Sequence, residues 1–258
     1  MTKHTLSERE RELMRYMQLK PTMRHASRFG TSVVVKYVPS DSNEASILQY
    51  LHSTKPAPGI IPLLKTFRLD LGHLIIILPE GNPLRHVINY SPPRSDLMDF
   101  SRQLIDAVSF LHQQHIAHLD IKPQNLVVLK HRLFIIDFDI SVHVDGPETL
   151  INYRCGTPGW MAPEIERLDG PRLLYSPIRA DLWSCGLVLE YLWEDTVEEN
   201  PFKELTRQLL DRNPWHRPLL VLVTAGHSLS EPEGGMKRKQ DAHLPDVKRC
   251  KGIGLGLS

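Results

Sequence analysis

Apolar positions recur with two different periods along this chain, and the switch between them divides it. Over residues 31–38, Thr31-Ser32-Val33-Val34-Val35-Lys36-Tyr37-Val38 is rich enough in β-branched side chains to predict a strand. Asp41, Ser42 and Asn43 then offer helix caps, and Ile47, Leu48 and Leu51 recur at helical spacing with Glu44 on the same face. The run 74–78 reads as a buried strand stopped by Pro79 and Gly81. Beyond Pro93 the period becomes helical. Leu97, Phe100, Leu104, Ala107, Val108 and Leu111 predict one long helix ending near His112. Two short apolar segments follow, 126–129 and 133–136, with a basic turn between them. A buried helix is predicted over 180–192 and a last short one over 205–210. At the start of the chain, Ser7 and Glu10 have capping-box spacing ahead of Leu13, Met14 and Met17, which predicts a short amphipathic helix. From Ser228 onward Gly, Pro, Lys and Arg dominate without periodicity, so 228–258 reads as a disordered tail.

A strand-rich part up to about Gly81, followed by a larger helical part, gives an α+β architecture of two lobes. The 258 residues suffice for a sizeable core. With 41% hydrophobic and 24% charged residues, the composition is that of an ordinary soluble globular protein. The formal net charge of +1 gives no overall attraction to nucleic acid or to an anionic membrane, and neither is expected as a partner. The longest aliphatic runs, 74–78 and 219–223, are too short to span a bilayer, and the charged stretch 8–12 follows no apolar signal segment. Cys155, Cys185 and Cys250 form neither an even disulfide set nor a CxxC pair, which points to an intracellular compartment. None of the 13 histidines belongs to a pair with zinc-site spacing and a third ligand nearby; His112 and His115 are expected to cap the long helix or lie on its surface.

The densest chemistry lies in His118-Leu119-Asp120-Ile121-Lys122-Pro123-Gln124-Asn125, between the long helix and the two short segments. Asp120 is suited to accept a hydroxyl proton, Lys122 to hold a transferring phosphate and Asn125 to offer oxygen to a hard cation. A polar turn would use the same residue types, so these residues alone do not decide the matter. Asp137-Phe138-Asp139 ends the second apolar segment, where a carboxylate is placed to hold magnesium on phosphates. Gly156-Thr157-Pro158-Gly159-Trp160-Met161-Ala162-Pro163-Glu164 follows, then Asp181-Leu182-Trp183-Ser184-Cys185-Gly186, and finally Asp211-Arg212-Asn213-Pro214-Trp215-His216-Arg217-Pro218.

This order of segments, over roughly residues 28–220, resembles the eukaryotic protein kinase family. The resemblance implies a two-lobed protein-kinase-like fold with a reduced N-terminal β lobe and a shortened C-terminal helical lobe. The domain would cover 28–227, after an extension over 1–27 and before the basic tail over 228–258. It implies Asp120 as catalytic base, Lys122 as the phosphate-neutralising lysine of the serine/threonine type, and Asn125 with Asp137 as magnesium ligands. Val33-Val34-Val35-Lys36 is similar to the family's Val-Ala-Ile-Lys strand, so Lys36 would contact the α- and β-phosphates of ATP, with Glu44 as its partner. Backbone groups of 79–81 would meet the adenine. Glu164 would pair with Arg217, and Asp181 would brace the catalytic loop. The implied activity is transfer of the ATP γ-phosphate, with Mg2+, to serine or threonine hydroxyls of protein substrates.

Four departures qualify that expectation. Gly30 is the only glycine before Lys36, so the glycine-rich phosphate cover is missing. Leu119 replaces the arginine before the catalytic aspartate, leaving no donor to grip a phosphate placed on Ser141, Thr149 or Tyr153. Asp139 replaces the glycine of the metal-binding triplet; its carboxylate would either sit beside Asp137 or cap the next turn in solvent. The stretch from Gly186 to Arg217 is short. The first departure keeps open the alternative of a weak or inactive pseudokinase that acts as a binding scaffold. In the tail, Lys237-Arg238-Lys239 and Lys248-Arg249-Cys250-Lys251 resemble a bipartite nuclear-import signal or form a solvated charge run, so the location reads as cytoplasmic or nuclear.

Overall fold

Alternation along one strand organises the small lobe. The computed structural model describes residues 23–28, 31–53, 57–69, 72–166, 174–194, 196 and 199–220. Strand β2 (Thr31–Pro39) lies inside an antiparallel sheet of order β1-β2-β4-β3, with β1 (Met23–Arg28), β3 (Lys65–Arg68) and β4 (His73–Pro79). Val33 and Val35 face one side and close a small cluster with Ile75 and Ile77. Val34, Lys36 and Val38 take the other side, where Val38, Leu74, Ile76 and Leu78 pack with Ile47, Leu48 and Leu51 of α1 (Asn43–Ser53). Strand β1 falls mostly in the stretch assigned to the N-terminal extension, so the sheet begins before the boundary drawn at 28. That strand is polar and carries no alternation to announce it. The helix expected near Ser7, Gly30 and the tail over 228–258 lie outside the described residues.

The chain passes to the large lobe through Glu80, whose N–H donates to Ser32 O at 3.1 Å, then β5 (Asn82–Pro83) and α2 (Leu84–Asn89). Helix α3 (Arg94–Gln113) starts directly after Pro93 and buries Leu97, Phe100, Leu104, Val108 and Leu111. Each such side chain contributes about 1.5–3 kcal/mol. Against it lies α5 (Pro177–Trp193), capped by Ser176 Oγ accepting from Arg179 N at 3.3 Å. That cap and Pro177 start the helix one turn before the apolar pattern over 180–192 does. Trp193 Nε1 donates to Ser101 Oγ at 3.0 Å, and Ser101 Oγ donates to Leu97 O at 2.8 Å, fastening the far end of α5 to α3.

Between these helices, β6 (Ile116–Ala117) leads into the loop over 118–122 and a 3-10 turn at Pro123–Asn125. The hairpin β7 (Leu126–Leu129) and β8 (Arg132–Ile135) follows. Its turn residues Lys130 and His131 both take positive φ, 50° and 61°, the backbone that matches strand twist. Strand β9 (Val142–His143) returns to pair with β6. Helix α4 (Pro163–Glu166) follows, and after α5 come α6 (Lys203–Leu209) and a 3-10 turn at Pro214–His216. Helix α6 presses onto α5 at Gly186, where a Cβ would come within 2.9 Å of Leu210 Cδ2 and 3.0 Å of Leu209 Cβ. Arg217 is fully buried; it donates to both oxygens of Glu164 at 2.7 and 2.8 Å, to Asp211 O at 2.9 Å and to Arg179 O at 2.7 Å. Among the described residues no helix is long and apolar enough to cross a membrane.

Candidate active site

The strand alternation that aims Val34 and Val38 at α1 also aims Lys36 there. Glu44, in the first turn of α1, meets it with Nζ at 2.7 Å from Oε1 and 2.9 Å from Oε2. Burial works to lower the Lys36 pKa, but Glu44, then Asp137 and Asp139, outweigh it and hold the ammonium above its ordinary value. Burial pushes the Glu44 carboxyl upward, since its side chain is only 1% exposed, and Lys36 opposes that shift. Asp137 Oδ1 lies 3.6 Å from Lys36 Nζ. Asp137, Asp139 and Glu44 each bring a carboxylate oxygen within 4.8 Å of the others, so Asp139 turns toward this group even though the residue is exposed. Burial, and next the charge of Asp137, raise the Asp139 pKa, with Lys36 opposing. The left-handed residue of the triplet is Asp137, with φ 70°, and Asp139 keeps negative φ.

The second half of the site is a loop built on a buried carboxylate. Asp181, on α5, accepts from His118 N at 2.6 Å and from Leu119 N at 2.7 Å. These bonds hold Leu119 at φ 66°, a conformation costly for a bulky side chain. His112 faces the same carboxylate, Nε2 3.2 Å from Oδ2, with its side chain 7% exposed; it neither caps α3 nor lies on the surface. His115 does lie exposed beyond the helix end. His118 is buried, its Nε2 3.1 Å from Ile136 O and its Nδ1 accepting from Asp120 N at 3.2 Å. Asp120 gathers three donors. Lys122 Nζ is 2.6 Å from Oδ2, Asn125 Nδ2 is 2.8 Å from Oδ2, and Thr157 Oγ1 donates to Oδ1 at 2.6 Å. Lys122 Nζ also reaches Thr157 Oγ1 at 2.5 Å.

Two groups of expected site residues are thus assembled, Lys36 with Glu44 and Asp137, and Asp120 with Lys122 and Asn125. They are joined where Ile136 N donates to Asn125 O at 3.0 Å, which sets Asp137 next to the loop. Both amide contacts of Asn125 Nδ2 go to Asp120, O at 2.9 Å and Oδ2, which leaves Asn125 Oδ1 as the oxygen on offer to a cation. At the lobe junction Pro79 has no N–H and that of Glu80 is bonded to Ser32 O. In the sequence, Gly30 is the only glycine before Lys36.

Leu119 enters an apolar cluster with Val144, Met161, Ile165, Tyr175 and Ile178. Gly156 lies against it at φ 109°; a Cβ there would be 2.9 Å from Leu119 O and 2.8 Å from Met161 Cγ. Ser141 is buried and donates to His118 O at 3.1 Å, and Thr149 Oγ1 accepts from the N–H groups of Asp145 and Gly146 at 3.1 and 3.2 Å. Thr157 and Asn43 are the site neighbours that spacing did not single out. Thr157 arrives from 37 residues beyond Asp120, and Asn43 looked like one of three interchangeable caps.

A protein kinase domain family model matches residues 25–227. The chain is 32% identical over 187 residues to CBL-interacting protein kinase 13 of Oryza sativa subsp. japonica, covering 68% of this chain and 36% of that protein. It is 33% identical over 128 residues to CBL-interacting serine/threonine-protein kinase 5 of Arabidopsis thaliana, covering 46% and 28%. It is 41% identical over 168 residues to the phosphorylase b kinase gamma catalytic chain, liver/testis isoform, of Mus musculus, covering 58% and 40%. The matched stretches span 28% to 40% of these relatives' own lengths. Both the extent of the family match and the relatives it brings with it lead to one statement: this chain belongs to the protein kinase domain family.

Proposed function

We propose that this chain is an ATP- and magnesium-dependent serine/threonine protein kinase, working through one domain over about 28–227. The observation that carries the reading is the Lys36–Glu44 ion pair set 3.6 Å from Asp137, with Asn125 tied beside it through Ile136. Asp137 and Asn125 offer carboxylate and amide oxygens, the donor set a hard cation takes, so magnesium fits them. Bound there, magnesium would neutralise charge on the phosphates. Lys36 would hold phosphate oxygens, and Asp120 would orient the acceptor hydroxyl and take its proton. The Thr157 hydroxyl at 2.6 Å from Asp120 Oδ1 supports that role, because it marks a carboxylate oxygen open to an O–H donor. Lys122, between Asp120 and Thr157, would stabilise the transferring phosphoryl group. The serine/threonine choice is supported by Lys122 and by the similarity to the Arabidopsis serine/threonine-protein kinase.

That Gly30 is the only glycine before Lys36 in the sequence favours a second reading, a scaffold that transfers nothing. Radiolabelled phosphate transfer to a generic protein substrate, with Asp120→Asn as control, separates the two. The kinase reading expects label on serine or threonine that the substitution abolishes, and a melting temperature raised by saturating Mg-ATP. Label no higher than in Asp120→Asn, with no thermal shift, leaves the scaffold.

A further inference from the structure

Helix α1 grips the turn after Asp137 through a single side chain. Asn43, the first residue of α1, directs Nδ2 at three carbonyl oxygens, 2.6 Å from Ser141 O, 3.0 Å from Asp139 O and 3.1 Å from Phe138 O. An amide nitrogen carries two hydrogens, so three acceptors converge on two donors. They converge because 138–141 is a closed turn, with Ser141 N donating to Phe138 O at 3.2 Å. The helix end does not need this side chain. Ser42 is the cap, its Oγ accepting from Ala45 N at 3.4 Å and its carbonyl accepting from Ser46 N at 3.1 Å.

Both sides of the contact lead to the site. The next residue of α1, Glu44, holds Lys36, and the residue before the turn is Asp137. Further along α1, the Tyr50 ring meets the edge of the His143 ring at 5.3 Å between centroids. On its far side the turn is tied to the catalytic loop, by Ser141 Oγ on His118 O and by the pairing of β9 with β6.

We propose that Asn43 is a positioning residue. It locks α1, and therefore the Lys36–Glu44 pair, to the Asp137 turn, and it does so with backbone acceptors and no phosphate. It touches neither substrate nor metal and acts through the carbonyls of 138–141. The activity consequence rests on the kinase reading above, whereas the clamp itself rests on geometry.

Asn43→Asp tests this in the full chain. The substitution keeps shape but turns two N–H donors into lone pairs facing three carbonyls. A carboxylate in the first turn of a helix is favoured by the helix dipole, so the fold is expected to hold. Asn43 is exposed, so no core is disturbed. The expected result is a kcat at least about tenfold below wild type for Asn43→Asp and a smaller loss for Asn43→Ala, with the melting temperature of Asn43→Asp equal to or above that of Asn43→Ala. A residue with only a structural role would order both readouts the same way. Amide hydrogen exchange over 139–144 is expected to quicken in Asn43→Asp. Wild-type kcat together with wild-type exchange in that variant overturns the proposal. If the unmodified protein transfers no phosphate, the kinase reading falls and exchange alone decides the clamp: quickened exchange upholds it and unchanged exchange overturns it.

Discussion

His118 has one ring nitrogen against a carbonyl and the other accepting a backbone N–H, an arrangement that only the neutral ring with its proton on Nε2 satisfies. Burial holds its pKa below the ordinary 6.5, against the opposing pull of Asp181, the Ile136 carbonyl, Asp120 and Asp137. The unfolded chain therefore binds this proton more readily than the folded one. Stability contributed by the neutral ring is complete above pH 6.5 and is lost as pH falls from there through the depressed folded value. Thermal melts across that range should show a fall in melting temperature below pH 6.5, and His118→Gln should flatten it; an unchanged slope would mean that another group sets the acid limb. Asp139 gives a second prediction. Its carboxylate beside Asp137 favours a divalent cation, so Asp139→Gly should need roughly fivefold more magnesium for half-maximal activity, about 1 kcal/mol after solvent screening. Superimposable magnesium curves would assign the aspartate no part in metal affinity. Asp120, Lys122 and Asn125 were legible because a loop of six residues brings them together locally. Asn43 reaches Phe138 across 95 residues, and spacing carries no information about such a meeting.

Helices α3 and α5 were legible for the opposite reason: long apolar periodicity is an intrinsic property of a segment, whatever it later packs against. Their edges depended on capping. Ser176 and Pro177 start α5 one turn before Ala180, by capping and by a preset φ and not by apolar spacing. The polar strand β1 is held by pairing with β2 and had no signal of its own. In the helical lobe, α5 and α6 approach closely at Gly186. Gly186→Val inserts an isopropyl group where even its Cβ would crowd Leu209 and Leu210, and should lower stability by about 1–3 kcal/mol in denaturant titration. A midpoint at or above that of the wild type would show that α6 can slide away without loss, and that the close contact is not a constraint.

Across the whole molecule, the parts that usually answer to signals are fastened by other means. Leu119 packs with Val144 and Met161, Ser141 is buried on His118 O, and Asn43 spans the lobes to the Asp137 turn. Phosphatase treatment of purified protein should therefore leave the rate of phosphate transfer unchanged, and a tenfold drop would show that a loop phosphate is part of the active state. The departure at Leu119 was plain in the sequence. What replaced the missing arginine was not, since an apolar cluster drawn from 117–180 is a property of the folded chain only. On the proposed reading, a loop closed by Leu119 and its apolar neighbours keeps no memory of upstream events. Its output then follows the number of copies in the cell, and timing passes from chemical marking of the protein to its synthesis and removal.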